Sequence, residues 1–250
     1  MQIFPSGTPL TVAFSAGMSY NPYMGALESY LASSGIGRYD LFCRYLDLLF
    51  EWNGRFNLTA ITDRAEAEVK HIVDSLLGAE FLHGDTVLDV GAGAGFPSLP
   101  LAVARPDIRF TLVDSLGKRV RFLETVIAEL GLSNATAVHA RAEDLPKGTR
   151  YGTVTARAVA PLNVLAEYCL PFVETGGIML AYKGPSAKEE VDAAKNAVRI
   201  LGGDTPEFFT TTLCATGREP VGRTFVVIKK TRPTPAAYPR GGNKPRLKPL

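Results

Sequence analysis

Residues 87–96 decide the fold, and they read VLDVGAGAGF. A short run rich in apolar residues ends at Val90, and glycines then occupy every second position, at Gly91, Gly93 and Gly95. Glycines directly after a buried strand allow the backbone to turn tightly and to approach a ligand closely. The stretch therefore predicts a strand, a glycine-rich turn and a helix whose N-terminus faces a ligand.

Helical and strand-like segments alternate along most of the chain around this turn. Helical spacing of apolar residues occurs in residues 38–52, which Gly54 is expected to end, and in 63–77, 99–104, 118–130, 162–171 and 187–201. Strand-like runs are residues 87–90, 109–113, 135–140, 153–160, 178–182, 207–214 and 223–230. The alternation predicts an α/β fold with a doubly wound, mostly parallel, seven-stranded Rossmann-like sheet covered on both faces. An antiparallel pair is expected to close it.

We expect one compact domain with three parts. Residues 1–60 form an N-terminal arm and helical extension, residues 61–230 the ligand-binding domain, and residues 231–250 a tail. No Lys or Arg precedes Arg38, which argues against a secretory signal peptide. The three cysteines share no CxxC spacing, so the sequence predicts neither disulfides nor a metal site, and favours a cytoplasmic location. No apolar run approaches the length of a membrane span, so no membrane partner is expected.

Charge is distributed unevenly, although the formal net charge is only +2. Residues 229–250 contain seven basic and no acidic residues, which leaves 20 basic and 25 acidic residues in the rest. Five prolines in this tail predict an extended arm that forms no helix. The arm is either a solvated terminus or a segment that contacts phosphates, since Lys and Arg gain free energy by releasing counterions from nucleic acid.

The spacing of the glycines discriminates between classes of nucleotide-binding loop. A dinucleotide GxGxxG pattern would place its last glycine at Phe96, whose bulk opposes close helix–strand packing, and no Walker Gly-Lys-Ser/Thr follows. Asp89 lies two residues before Gly91, and Asp114 ends the next predicted strand. A carboxylate at Asp114 can accept both hydroxyls of a ribose, or it can cap the following helix. The acidic-x-GxGxG pattern resembles motif I of class I S-adenosyl-L-methionine (SAM) methyltransferases.

A longer series of motifs resembles one bacterial family over residues 30–230. In order, these are FNLTAIT (56–62), HIVDSLL (71–77), DVGAGAGFPSLPLA (89–102), LVDSLGKRVRFL (112–123), RAEDL (141–145), ARAVAPL (156–162) and KG (183–184). They are similar to the 16S ribosomal RNA guanine-N7 methyltransferases (RsmG or GidB), and the ending YPR…P…KPL resembles the longer members. Ser98 departs from the glycine usual there. The resemblance makes residues 61–230 a SAM-binding methyltransferase domain.

The resemblance implies methyl transfer to N7 of a guanine in bacterial 16S rRNA. Guanine N7 carries a lone pair in the base plane, so it can attack the sulfonium methyl in line without first losing a proton, and catalysis is expected mainly from positioning. Two features of the sequence agree. Residues 156–158 read ARA, where methyltransferases that act on exocyclic amines carry Asn/Asp-Pro-Pro-aromatic. Methyltransferases that act on a ring carbon need a cysteine nucleophile, but Cys169 has no adjacent proline of the kind that marks one. The implied partners are 16S rRNA and the small ribosomal subunit or an assembly intermediate, and a monomer is expected.

Candidate site residues fall into three sets. For catalysis we expect Arg157, Lys183 and His71. For the cofactor we expect Asp89, Gly91, Ala92, Gly93, Gly95, Phe96, Asp114, Ser115, Leu116, Ala142, Glu143 and Arg157. For RNA we expect Asn57, Lys118, Arg119, Lys183, Arg223, Arg240, Lys244, Arg246 and Lys248.

Several of these assignments have alternatives. Arg157 could contact the cofactor carboxylate, guanine O6 or a surface acid, while Lys183 could hold a phosphate or remain solvated. Phe96 could pack on the cofactor or in the core. His71, Asp74 and Ser75 share a helix face, which suggests a hydrolase, but no nucleophile elbow accompanies them.

Two other functions also fit the sequence. One is a SAM methyltransferase with a different substrate. The other is a non-catalytic ribosome-assembly factor that kept the fold, although a binding module has no reason to keep the acidic and glycine residues of the turn.

Overall fold

The glycine turn follows an interior strand of a seven-stranded sheet. The computed structural model describes residues 25–213 and 221–250. Its strands are β1 (Thr86–Val90), β2 (Arg109–Asp114), β3 (Ala135–His139), β4 (Tyr151–Arg157), β5 (Val173–Lys183), β6 (Glu207–Leu213) and β7 (Val221–Lys229). Their order is β3-β2-β1-β4-β5-β7-β6, and only the pairs that include β7 are antiparallel. The order reverses between β1 and β4, where ligands bind in such sheets.

Helices cover both faces of the sheet. They are α1 (Ala26–Ser34), α2 (Tyr39–Phe56), α3 (Arg64–Ala67), α4 (Asp74–Leu76), α5 (Ser98–Ala104), α6 (Gly117–Glu129), α7 (Leu162–Cys169), α8 (Ala187–Ile200) and α9 (Lys244–Leu247). A π-helical stretch, Glu68–Val73, joins α3 to α4, and a 3-10 segment, Leu77–Phe81, follows. One core contains α1, α2, α5 and α6, and a second core contains α7 and α8.

This architecture confirms the predicted fold class. All seven strands and the long helices occur where the apolar pattern placed them, within a few residues. The first 24 residues of the predicted N-terminal arm and the end of the predicted strand at Cys214 lie outside the described residues. In the part of the chain that the structure describes, no helix is long and apolar enough to cross a membrane.

The end of α2 differs from the prediction. The helix passes through Gly54 and ends at Phe56, and Asn57 follows in the left-handed conformation with φ 50°. A glycine costs a helix only about 1 kcal/mol relative to alanine, which packing can offset. Trp52 supplies that packing, since its ring lies 5.4 Å from Phe56 and 5.6 Å from Phe122.

The tail also differs from the prediction. It is not a free extended arm, because it packs on the body, buries Pro239 and Pro245, and forms the short helix α9. Arg240 pairs with the buried carboxylate of Glu167 in α7 at 2.6 Å. A count of prolines and charges does not reveal a partner so distant in sequence. The sequence therefore predicted an extended arm where the tail is in fact packed on the body.

Two glycine substitutions test the end of α2 and the packing around Tyr182. Gly54→Ala should raise the free energy of unfolding by a few tenths to about 1 kcal/mol, because a Cβ at this exposed position meets no atom within 4 Å. Gly78→Ala should destabilise the chain, since its Cβ would lie 1.8 Å from Tyr182 Oη. Urea unfolding measures both. A destabilised Gly54→Ala variant would contradict the helix end at Phe56.

Candidate functional site

The glycine turn adopts a backbone conformation that leaves space for a ligand. Gly91, Gly93 and Gly95 have φ of 73°, 61° and 92°, which side chains rarely adopt. A Cβ on Gly91 would also lie 2.8 Å from Val159 Cγ2, whereas one on Gly93 would meet nothing closer than 3.9 Å. The turn therefore leaves open space beside Gly93, where a ligand can approach the backbone.

Asp114 links the turn to the end of β2. Its Oδ2 accepts from Gly93 N at 2.9 Å, and its Oδ1 accepts from Leu116 N at 2.9 Å, just before α6. Arg119 Nη1 lies 3.4 Å from Oδ2. Asp114 therefore holds the turn before α6 but does not cap that helix, whose N-cap residue is Leu116. A carboxylate has further acceptor positions, so these bonds leave room for ribose hydroxyls.

A cleft of about 300 Å³ opens between the glycine turn and the ends of β2, β3 and β4. This volume is at the lower end of the range for small-molecule sites. Of the residues predicted to bind the cofactor, its wall contains Gly91, Asp114, Ser115, Ala142 and Glu143. The others lie outside that wall: Asp89, Ala92, Gly93, Gly95, Phe96, Leu116 and Arg157.

The other eight wall residues did not come from the cofactor prediction, and Tyr168, Asn243 and Arg246 are among them. Tyr168 and Asn243 were not singled out at all, and Arg246 was assigned to RNA. Tyr168 lies on a helix that reads as plain core, and Asn243 lies in the basic tail. The only sequence signal for these residues was the resemblance of the tail to longer family members, and that resemblance does not predict which residues the tail contacts.

A larger cleft of about 610 Å³ lies beside the first and shares Val159 and Arg246 with it. Its wall contains Pro161, Glu189 and Pro249 but no residue of the glycine turn and not Asp114. The smaller cleft is therefore the candidate cofactor site, because it has the glycine turn and the Asp114 carboxylate. The larger volume of the other cleft does not outweigh these groups.

Asp89 lies beneath the glycine turn and is 1% exposed. Neither carboxylate oxygen has a hydrogen-bond partner among the described residues, and neither has the Ser98 hydroxyl. Burial raises the pKa of Asp89 to about 7, although the nearby Ser98 hydroxyl and amide act to lower it. An unpaired buried carboxylate is costly, which favours the protonated form of Asp89. Asp89 is not part of the cleft wall, so the fit to SAM comes from Asp114, which can accept from a ribose diol, and from the open turn.

A buried cluster of charged residues lies at the end of β4 and the beginning of β7. Asp74 is fully buried, and its carboxylate accepts from Arg157 Nη1 at 2.6 Å and from Arg223 Nη2 at 2.9 Å. Arg157 also donates to Lys70 O at 3.1 Å and to His71 Nδ1 at 3.1 Å. Arg157 is therefore not a surface ion pair, and its donors are engaged within the protein. A contact to cofactor or base stays a prediction.

His71 is held as a neutral imidazole. Because Nδ1 accepts from Arg157, the proton lies on Nε2, which donates to Thr59 Oγ1 at 2.8 Å. Burial, and then the charge of Arg157, lower the pKa of His71 to about 4. The His71 ring stacks on Phe96 at a centroid distance of 4.4 Å, and the Tyr45 ring also stacks on Phe96, at 5.2 Å. Phe96 is therefore core, as one alternative held.

The hydrolase interpretation of this helix is excluded. Ser75 Oγ donates to the backbone carbonyl of His71 at 2.5 Å and not to its ring, while Asp74 binds two arginines. No nucleophile, base and acid are aligned here.

Several cations predicted to bind RNA are already paired. Lys183 donates to Glu190 Oε2 at 2.6 Å, and Arg223 and Arg240 are paired with Asp74 and Glu167. A phosphate contact from any of them requires that pair to open. Lys118, which donates to Phe56 O at 3.2 Å, and the tail residues Lys244 and Lys248 lie at the surface. Asn57 is also exposed, directly after α2.

Comparison with known proteins identifies the family. The family model described as "rRNA small subunit methyltransferase G" matches residues 38–213. A protein named ribosomal RNA small subunit methyltransferase G from Lactobacillus johnsonii is 44% identical over 218 residues, covering 84% of this chain and 90% of its own length. One with the same name from Alkaliphilus metalliredigens is 46% identical, covering 82% and 88%. The chain belongs to the rRNA small subunit methyltransferase G family.

More distant solved structures share the fold of this family member. A putative O-methyltransferase from Klebsiella pneumoniae superposes with a TM-score of 0.53 at 14% identity, covering 83% of this chain and 97% of its own. The O-methyltransferase TomG from Streptomyces achromogenes, solved in complex with SAM, has a TM-score of 0.51 at 16% identity, covering 82% and 96%. Family membership confirms that the enzyme is a methyltransferase and that it depends on SAM.

Replacing Asp114 tests the cofactor cleft. Asp114→Asn should weaken SAM binding roughly 10- to 100-fold, since hydrogen bonds to a charged group contribute about 1.5–3 kcal/mol each. Isothermal titration calorimetry measures the Kd, with Asp107→Asn as the control because Asp107 pairs with Arg105 on the surface. Unchanged affinity in Asp114→Asn would place the cofactor elsewhere.

Replacing Asp89 tests its burial. The folded chain keeps a proton on Asp89 up to about pH 7, whereas its ordinary pKa is 3.8. The stability that this proton contributes is present below pH 3.8 and is lost as the pH rises through 7. Asn cannot ionise, so Asp89→Asn should gain stability relative to the wild type between pH 5 and 8, on the order of a few kcal/mol.

Urea unfolding of the ligand-free proteins at several pH values measures this difference. The Asp144→Asn variant serves as a control for the loss of a carboxylate at an exposed position. A flat profile for Asp89→Asn would mean that Asp89 is ionised in the folded chain.

Proposed function

We propose that this enzyme transfers a methyl group from SAM to N7 of a guanine in bacterial 16S rRNA. The observation that carries the proposal is the 44–46% identity, across most of both chains, to proteins named for methylation of small-subunit ribosomal RNA. Bound SAM supplies an electrophilic methyl group on a sulfonium ion. The choice of N7 comes from the resemblance of the motifs, and the chemistry of the cluster supports it.

The cluster contains no free general base. Both ring nitrogens of His71 are hydrogen bonded, its pKa is lowered to about 4, and the Asp74 carboxylate is neutralised by two guanidinium groups. An exocyclic amine or a hydroxyl must lose a proton during methylation, whereas guanine N7 need not. Such a site suits an acceptor that already carries an available lone pair.

The residues of the cleft therefore act by binding and orienting. Asp114 would accept from the ribose hydroxyls, Gly91 and Gly93 allow the close approach of the backbone, and Ala142 and Glu143 would contact the adenine edge. Fixing two reactants in line accounts for a large part of a methyl transfer barrier, up to about 7–11 kcal/mol.

The RNA would meet the surface through exposed cations and an unstacked base. Lys118, Lys244 and Lys248 lie at the surface and suit phosphate contacts, with Asn57 as a further polar contact. A guanine within a duplex does not present itself to a cleft, so the target lies in a loop or is splayed out of its helix. We propose that a monomer acts in the cytoplasm on the small ribosomal subunit or an assembly intermediate.

Transfer of tritium from labelled SAM to small ribosomal subunits that lack the modification tests the proposal. We expect label in 7-methylguanosine after digestion to nucleosides, and at least tenfold less label with Asp114→Asn. Label in another nucleoside would overturn the N7 assignment. SAM binding without label in RNA would favour a different substrate, and absence of SAM binding would favour a non-catalytic assembly factor.

A further inference from the structure

The tail follows a defined path over the second core. Tyr238 is partly buried against this core, and Pro239 and Pro245 are buried. Arg240 provides the anchor, because its Nε and backbone N both donate to Glu167 Oε1, at 2.8 and 2.9 Å, while Nη2 donates to Oε2 at 2.6 Å. Such a two-pronged contact fixes direction as well as position. Arg240 Nη2 also donates to Lys248 O at 2.9 Å, which folds the end of the tail back.

This path brings two tail side chains to the cofactor cleft. Asn243 and Arg246 form part of the same wall as Ala142, Glu143 and Tyr168. Arg246 Nη2 donates to Val159 O at 3.3 Å, and its guanidinium, near the Tyr168 hydroxyl, acts to lower the pKa of that group against the effect of burial. Both residues are exposed, so nothing in the protein interior requires them there.

The two side chains suit an adenine. A side-chain amide offers one donor and one acceptor, which match N7 and the N6 amino group of adenine. A guanidinium group is planar and stacks on aromatic faces. The other polar side chains of that wall are the carboxylates of Asp114 and Glu143, the hydroxyls of Ser115 and Tyr168 and the guanidinium of Arg141, and none of them is an amide.

We propose that residues 240–249 are part of the cofactor site, in which Asn243 and Arg246 close the adenine end of SAM and the Glu167–Arg240 pair holds them in place. The proposal deepens the proposed function and rests on the adenine lying near Ala142 and Glu143. It gives the basic tail a role in binding cofactor that is separate from any contact with RNA.

Binding of S-adenosylhomocysteine, measured by calorimetry without RNA, tests the proposal. Asn243→Ala and Arg246→Ala should each bind about tenfold more weakly than the wild type, in line with the discrimination that one good bidentate pair provides. Arg232→Ala removes a tail cation that donates to Arg199 O, away from the cleft, and should bind like the wild type. Thermal unfolding without ligand checks that all variants are folded.

A second readout separates adenine recognition from a general structural effect. The wild type should prefer S-adenosylhomocysteine over S-inosylhomocysteine, in which a carbonyl replaces the N6 amino group. Asn243→Ala should reduce this preference at least fivefold, because alanine has no side-chain hydrogen bond to either the adenine or the hypoxanthine base. An unchanged preference would overturn the role of Asn243 as an adenine contact.

The outcomes distinguish this proposal from the proposed function. If either Asn243→Ala or Arg246→Ala binds S-adenosylhomocysteine within twofold of the wild type, that residue is not part of the cofactor site. If binding is unchanged in both, while Asp114→Asn binds weakly, the tail proposal is overturned and the methyltransferase assignment stands. If the wild type binds neither SAM nor S-adenosylhomocysteine, both proposals fail.

Discussion

The hydrogen bond from the Gly93 amide to the Asp114 carboxylate determines the geometry of the whole site. It joins the turn after β1 to the end of β2, and the second oxygen of Asp114 fixes the start of α6 through Leu116. Two parallel strands and a helix are thereby set around one acceptor. Because this acceptor is charged and 3% exposed, its bonds are strong and its position is well defined. A ligand that binds Asp114 therefore meets a preformed cleft.

A second buried charge organises the neighbouring edge. Asp74 alone would destabilise the fold by several kcal/mol, because a carboxylate is costly to remove from water. Two guanidinium groups, from β4 and β7, compensate it, and His71 and Thr59 extend the network to the segment after α2. The N-terminal extension is in this way joined to the edge of the sheet where ligands bind. The π-helical stretch Glu68–Val73 precedes Asp74 and includes His71, as such stretches often do at functional sites.

The sequence predicted the features that depend on local pattern. Alternating apolar runs predicted all seven strands, and the glycine spacing with Asp114 predicted residues that line the candidate cofactor cleft. It could not predict contacts between distant parts of the chain. Arg223 and Asp74 are 149 positions apart, and Arg240 and Glu167 are 73 apart, so a count of charges assigned both arginines to RNA. Gly54 shows the converse, since packing by Trp52 outweighs the local preference of glycine to end a helix.

The pairing of charges suits the proposed methyl transfer by positioning. The lowered pKa of His71 and the engaged donors of Arg157 leave a network that holds its shape without exchanging protons near neutral pH. A general base would have to be free and to titrate near the working pH, and both conditions would weaken the network. An acceptor with its own lone pair removes that conflict. The site can then use its ionic groups to fix the positions of two reactants, while the fold keeps every buried charge of the Asp74 cluster compensated.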